Sequence, residues 1–244
     1  MPRVFHIPGV IFLLCAFVLL FLTSISLPYL TAIDIARVKF KSGNPSVGPD
    51  TNAIHEIRFG TWANCWYENQ GVRACSSADN AYTTTLFDAH RQDSVTIGAS
   101  WTRGLAVHPV ATGVTFIALL LSLSTHVTFT LLASLASFLA ALLTLIAFAI
   151  DIALYAWVKH QMGKLDGVAS NTDTAPGESP PLSLLLVMRH GWLTSERTAG
   201  FWMTFVSFLL LCFAGCTVCF GRRRDRMEGA TSYKYSWKDR FRRY

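Results

Sequence analysis

The sequence predicts an all-α membrane protein: a four-helix transmembrane bundle with a small disulfide-stapled extracellular β-sheet between helices 1 and 2. Three observations carry that prediction. The 244 residues are 52% hydrophobic and 15% charged, with a mean hydropathy of +0.37, which leaves too little polar surface to cover a soluble domain of this size. Asp, Glu, Lys and Arg are absent from three long runs, residues 4–33, 104–150 and 198–221. Between the first two runs, Cys65 and Cys75 are separated by nine residues in a polar loop, which suits a disulfide in an oxidising compartment better than a cytosolic thiol pair.

The first run gives helix 1, near Ile7 to Leu27, inside a segment 1–27 that begins with a cytosolic amino terminus. A cleaved signal peptide is the other reading of residues 1–27, which show no clear small-x-small cleavage site. The middle run is too long for one crossing. As a single helix its 47 residues reach about 70 Å, against a hydrocarbon core of about 30 Å. It folds back at Ser122-Leu123-Ser124-Thr125-His126, so residues 105–158 hold helices 2 and 3, joined by a tight cytosolic turn near 122–126. His108 and Pro109 mark the start of helix 2, because proline is tolerated in a first helical turn. Helix 3 runs from Val127 to Ile150 or slightly beyond, and helix 4 occupies residues 200–220. Between them, residues 159–199 form a second extracellular loop, in which Leu182 to Met188 is apolar but too short to span.

Charge sets the sidedness. Residues 28–104 and 159–199 are each neutral, whereas the basic tail 221–244 carries a net +6 and begins with Arg222, Arg223, Arg224 and Arg226 directly after helix 4. The positive-inside rule makes that tail cytosolic, and four spans return the amino terminus to the same side. Arg37, Lys39 and Lys41 oppose this assignment from the outer end of helix 1.

The outer segment 28–104 contains β-prone stretches at Ile54 to Trp62, Val72 to Cys75, Tyr82 to Phe87 and Ser94 to Ile97, expected to pair as a small antiparallel sheet. Asn44-Pro45-Ser46-Val47-Gly48-Pro49 reads as a loop without regular structure, and Pro45 removes Asn44 as a glycosylation acceptor. A Cys65–Cys75 bond closes an 11-residue ring, worth about 3 kcal/mol in the chain-entropy account. Trp62 and Trp66 flank the first cysteine and either pack on the disulfide, lie at the headgroups, or form a partner-binding patch.

Several residues inside the apolar runs attract notice. Asp151 is the one acidic residue followed by further apolar sequence. It either reaches the outer headgroup level, solvated or paired with Lys159 or Arg103, or it clamps helices 2 and 3 together. Ala133, Ser137 and Ala141, beside Ala136 and Ala140, form a small-residue face for close helix packing or for a partner's helix. His55, His90, His108, His160 and His190 fall on or near the outer side and read as surface residues, with no histidine and carboxylate cluster in the sequence. Cys212, Cys216 and Cys219 precede the arginines, a setting for S-palmitoylation. The tail's basic and aromatic residues suit anionic inner-leaflet lipids rather than nucleic acid, because a membrane tethers them.

Gly60-x-Trp62-x-x-Cys65-(x9)-Cys75 after a first span, with Arg103 just before the second, resembles the claudin-type tetraspan signature, with Thr61 where claudins usually carry leucine. The fungal branch fits more closely. Thr102 to Ala111, which includes Arg103, His108 and Pro109, then Phe116 to Leu121, Ile150 to Leu154 and Gly200 to Thr204, are similar to stretches of the PalI family and its eisosome-associated relatives. The resemblance implies a plasma-membrane protein that supports a separate multi-span receptor in ambient-pH signalling, or one that organises cortical membrane domains by self-association. Many family members carry a long cytosolic extension, whereas 23 residues follow Gly221 here.

A non-enzymatic role is therefore expected. No His-Glu-x-x-His, Gly-x-Ser-x-Gly or paired-carboxylate pattern occurs, so no catalytic residue, metal ligand, cofactor or small-molecule substrate is assigned. Membrane lipids and another membrane protein are the expected partners. A transporter or channel ranks lower, since it calls for several intramembrane polar groups and the runs offer Asp151 alone among the acids.

Overall fold

A computed structural model describes residues 3–43, 45–48, 51–124, 127–165, 168, 170–173 and 199–217. In chain order these form α1 (Arg3–Ser24), β1 (Ala36–Phe40), β2 (Ser46–Val47), β3 (Ile54–Phe59), β4 (Asn64–Glu68), β5 (Arg73–Cys75), β6 (Thr84–Phe87) and β7 (Ser94–Ile97). A short helix α2 (Ala99–Thr102) and a 3₁₀ turn (Arg103–Ala106) lead into α3 (Val107–Ser122), followed by α4 (Val127–Met162) and β8 (Ser170–Asp173). A last helix, α5, covers Ala199–Thr217.

Four helical stretches are long and apolar enough to cross a membrane: Ile7–Ser24, Ala99–Ser122, Thr128–Met162 and Ala199–Thr217. The protein is a multi-pass membrane protein. α1 is apolar on all sides, as a helix set in lipid must be. Leu13, Ala16 and Leu20 pack inward against Ala118 and Leu119 of α3, Ala140 and Ala141 of α4, and Leu211 and Ala214 of α5. Ile7, Ile11, Leu14 and Val18 face outward. Phe12 meets Phe213 with ring centres 6.2 Å apart, and Phe148 meets Phe201 and Phe205 at 4.9 and 5.3 Å, so α5 closes the bundle against both α1 and α4. The small residues of α4 lie inside: Ala133, Ser137, Ala140 and Ala141 are buried, and the backbones approach closely there.

α4 is longer than a membrane requires. Its 36 residues extend about 54 Å, so its last turns leave the hydrocarbon and rise into the β lobe. Leu154, Val158 and Met162 share one buried core with Val38, Ile57, Phe59, Leu86 and Ile97 from the strands.

The lobe holds two antiparallel sheets rather than the single one expected. One has the order β5-β4-β3-β1-β8 and the other β2-β6-β7. The stretch read as one strand from Ile54 to Trp62 breaks after Phe59. The chain turns at Gly60–Ala63, closed by a 2.9 Å bond from Gly60 N to Ala63 O, and returns as β4. Within the segment expected to lack regular structure, Ser46 and Val47 pair with Phe87 and Leu86. β8 comes from beyond α4 and pairs its Asp173 with Arg37 of β1, so both loops build one sheet. Cys65 and Cys75 stand opposite each other across β4 and β5, with Cα atoms 4.0 Å apart, and are disulfide-bonded.

Candidate functional site at the lobe and membrane junction

The carboxyl end of α1 leaves backbone carbonyls without helical partners, which must be satisfied from elsewhere. The turn after β3 supplies the donors. Thr61 Oγ1 donates to Thr23 O at 3.0 Å, and Trp62 Nε1 donates to Ser24 O at 2.7 Å. Ser26 Oγ donates to Thr61 Oγ1 at 3.0 Å and accepts from Thr61 N at 2.9 Å. Threonine at position 61 thus has a physical reason in this chain, since leucine makes neither of the two bonds of its hydroxyl, to Thr23 O and Ser26 Oγ. Gly60 is needed for the close approach: a Cβ there would lie 2.5 Å from Leu27 Cβ and 2.8 Å from Leu27 N.

The same turn reaches the second span. Gly60 O accepts from the Tyr82 hydroxyl at 2.8 Å, and Tyr82 O accepts from Thr102 Oγ1 at 2.7 Å, at the end of α2. Burial pushes the Tyr82 hydroxyl far above the ordinary phenol range, so it remains a proton donor. One buried hydrogen-bonded path therefore runs from the end of α1 through the lobe to the start of the second span.

α5 docks on the other side of the lobe. Gly200 N donates to Asp34 O at 3.0 Å, where a Cβ on residue 200 would come within 2.8 Å of that oxygen. The Asp34 carboxylate accepts from Arg37 Nε at 2.7 Å and Nη2 at 3.2 Å. Arg37 also faces Glu56 at 3.6 Å, and Arg58 pairs with Glu56, donates to Thr31 O at 3.0 Å and lies 4.5 Å above the Tyr67 ring. Burial raises the Asp34 pKa above its ordinary value, against the opposing pull of Arg37 and Arg58.

The third tie joins α3 to α4. His108 Nε2 lies 3.0 Å from Asp151 Oδ1, and both side chains are fully buried. This corrects two expectations. Asp151 is neither solvated at the headgroups nor paired with Lys159 or Arg103, both exposed, and His108 is no surface histidine. It is the polar clamp between helices 2 and 3. His108 Nδ1 and Asp151 Oδ2 have no hydrogen-bond partner among the described residues. Above the pair, Trp101 stacks on Trp157 with ring centres 4.5 Å apart and planes 12° from parallel. On the same two elements Gly104 abuts Ile150, where a Cβ would stand 2.9 Å from Cγ2.

Other singled-out residues are dispersed. His55, His90 and His160 are exposed, and Trp66 packs half-buried on the lobe core. Cys212 is half-buried and Cys216 exposed on α5. Cys219, Arg222, Arg223, Arg224, Arg226, the rest of the tail, Leu182 to Met188 and His190 lie outside the described residues. Among the described residues, no three His, Cys, Asp or Glu side chains gather to hold a metal ion.

Four spans, and between the first two a β lobe closed by a disulfide, define a claudin-like tetraspan membrane protein. Residues 5–178 match the family model of the SUR7/PalI family, and the chain belongs to that family. The match covers three spans and the whole lobe and stops before α5. No curated protein matches the chain.

Proposed function

We propose that this protein is a non-enzymatic plasma-membrane tetraspan with both termini in the cytosol. It assists the assembly or localisation of an ambient-pH-sensing receptor complex by binding another multi-span membrane protein. The observation that carries this reading is the buried path from Thr23 through Thr61, Gly60 and Tyr82 to Thr102. It makes the lobe and the helix ends one unit, which suits a protein that presents a fixed surface to a partner. Family membership supports the same reading. The Cys65–Cys75 bond, of a kind that persists in oxidising compartments, supports a lobe outside the cell and, across the bundle, the far end of α5 in the cytosol.

A second reading, a cortical membrane-domain organiser that supports cell-wall or membrane integrity, is favoured by the lipid-facing thiol of Cys216. Deletion followed by growth at alkaline pH, with the receptor and this protein tagged, separates the two. Alkaline sensitivity with a mislocalised receptor supports the first. Stable cortical patches with normal alkaline growth support the second. Normal growth accompanied by a solute flux lost on deletion overturns both.

A further inference from the structure

The charge-free run that forms α1 outlasts the helix. α1 ends at Ser24, yet no Asp, Glu, Lys or Arg occurs before Asp34, so residues 25–33 make a loop without a charge. Its first part is packed inside, with Ser26 and Leu27 fully buried and Leu27 against Gly60. Beyond Pro28 the chain coils tightly: Tyr29 N and Leu30 N donate to Ser26 O at 3.1 and 3.3 Å, and Ile33 N donates to Leu30 O at 3.2 Å. These turns leave apolar side chains outside. Tyr29 is 69% exposed and Ala32 is exposed, while Leu30 and Ile33 are half-buried. Two ties fix the height of the loop. At one end it continues α1, whose last residue, Ser24, accepts a bond from Trp62. At the other end Asp34 O accepts from Gly200 N, and Ile33 stands against Gly200, where α5 begins. α1 and α5 both span the membrane, so the loop lies level with the ends of two spans, at the height of the lipid headgroups.

We propose that residues 28–33 form a lipid-binding wedge seated in the leaflet on the lobe side of the membrane, with Tyr29 as its anchor. The Tyr29 ring enters the upper acyl region while its hydroxyl stays among the ester and headgroup oxygens, the division that places tyrosine at bilayer surfaces. Leu30, Ala32 and Ile33 extend the apolar contact around it. Charge takes no part in the recognition. The loop carries none, Arg58 is engaged by Thr31 O and Glu56, and Arg37 is engaged by Asp34 and Glu56. The seat therefore takes phospholipids through their glycerol and acyl region, without preference for an anionic headgroup. It holds the lobe to the leaflet at a point between α1 and α5, in addition to the helices that carry it. The inference needs the four spans alone and not the side of the membrane on which the lobe lies.

The test places the full chain, with Cys15, Cys212, Cys216 and Cys219 replaced by serine, in phosphatidylcholine nanodiscs. A nitroxide is attached to Tyr29→Cys, to Ala32→Cys, or to Val72→Cys, which is exposed at the end of β4 far from the junction turn. Collision with lipid-soluble oxygen and with a water-soluble nickel chelate is then measured by electron paramagnetic resonance. The expected result at residues 29 and 32 is a nickel collision rate at least threefold below that at residue 72 and a higher oxygen rate, both unchanged when phosphatidylserine replaces part of the phosphatidylcholine. An intact Cys65–Cys75 bond on non-reducing gels confirms a folded lobe, and either loop position suffices if the other variant fails this check. Nickel rates at the loop equal to that at residue 72 put the loop in water and overturn the proposal. Exclusion of both reagents overturns it in favour of a protein surface on the loop, whether a second copy or another membrane protein. Protection from nickel that requires phosphatidylserine overturns it in favour of recognition by charge.

Discussion

His108 and Asp151 meet 3.0 Å apart with no exposed side-chain surface on either, one residue from the first turn of α3 and the other from the level where α4 leaves the bundle. Removing one partner leaves a buried polar group whose hydrogen bond no other side chain restores. Asp151→Ala is expected to cost about 3 kcal/mol, and His108→Leu combined with Asp151→Leu to recover most of that loss. Thermal aggregation of the detergent-solubilised variants measures both.

Thr61 to leucine restores the residue claudins carry and removes the bonds to Thr23 and Ser26. The Ser26 hydroxyl proton is then buried without an acceptor and the Thr23 carbonyl keeps only the bond from Ser26 N, an expected loss of about 1–3 kcal/mol, while Thr61→Ser retains most of the stability. Equal thermal midpoints for the leucine and serine variants contradict the assignment.

Gly60→Ala drives a methyl against the backbone of Leu27, and Gly200→Ala drives one against the Asp34 carbonyl, contacts of 2.8 Å that only movement of the main chain relieves. Both variants are expected to lose most of their delivery to the cell surface. Gly113→Ala, where nothing lies within 4 Å, is expected to behave as wild type. Surface biotinylation of the three variants is the measurement.

Asp34 gives the lobe a pH dependence of defined sign. Its pKa in the folded protein is raised above 3.8, so the folded state holds the proton more tightly than the unfolded chain does. The stabilisation is complete below pH 3.8 and is lost as pH rises through the raised value. Denaturant unfolding across that window is expected to show wild type gaining stability on acidification relative to Asp34→Asn. A constant difference between the two removes Asp34 as the cause.

The four spans were legible because charge-free runs of apolar residues have one physical use at that length. The upper part of α4 was harder to read, since Asp151 and Lys159 suggest the end of a span. Yet Leu154, Val158 and Met162 continue at intervals of four, and that repeat was the available signal. β1 was hidden by its charges: Arg37 looked like a topological signal, whereas its guanidinium is paired with Asp34 and Glu56 inside the lobe. β8 gave no signal, because Ser170-Asn171-Thr172-Asp173 is strand only by virtue of its register with β1. The His108 and Asp151 pair could have been suspected, as each is a rare polar side chain in an apolar run, but their separation of 43 residues hides the contact until the helices are packed.

α4 is one unbroken helix whose lower part is set in the bilayer and whose upper part is the spine of the sheets. A thinner bilayer is met by tilting such a helix. The sheets share a core with its top, so any tilt of the helix carries them through the same angle.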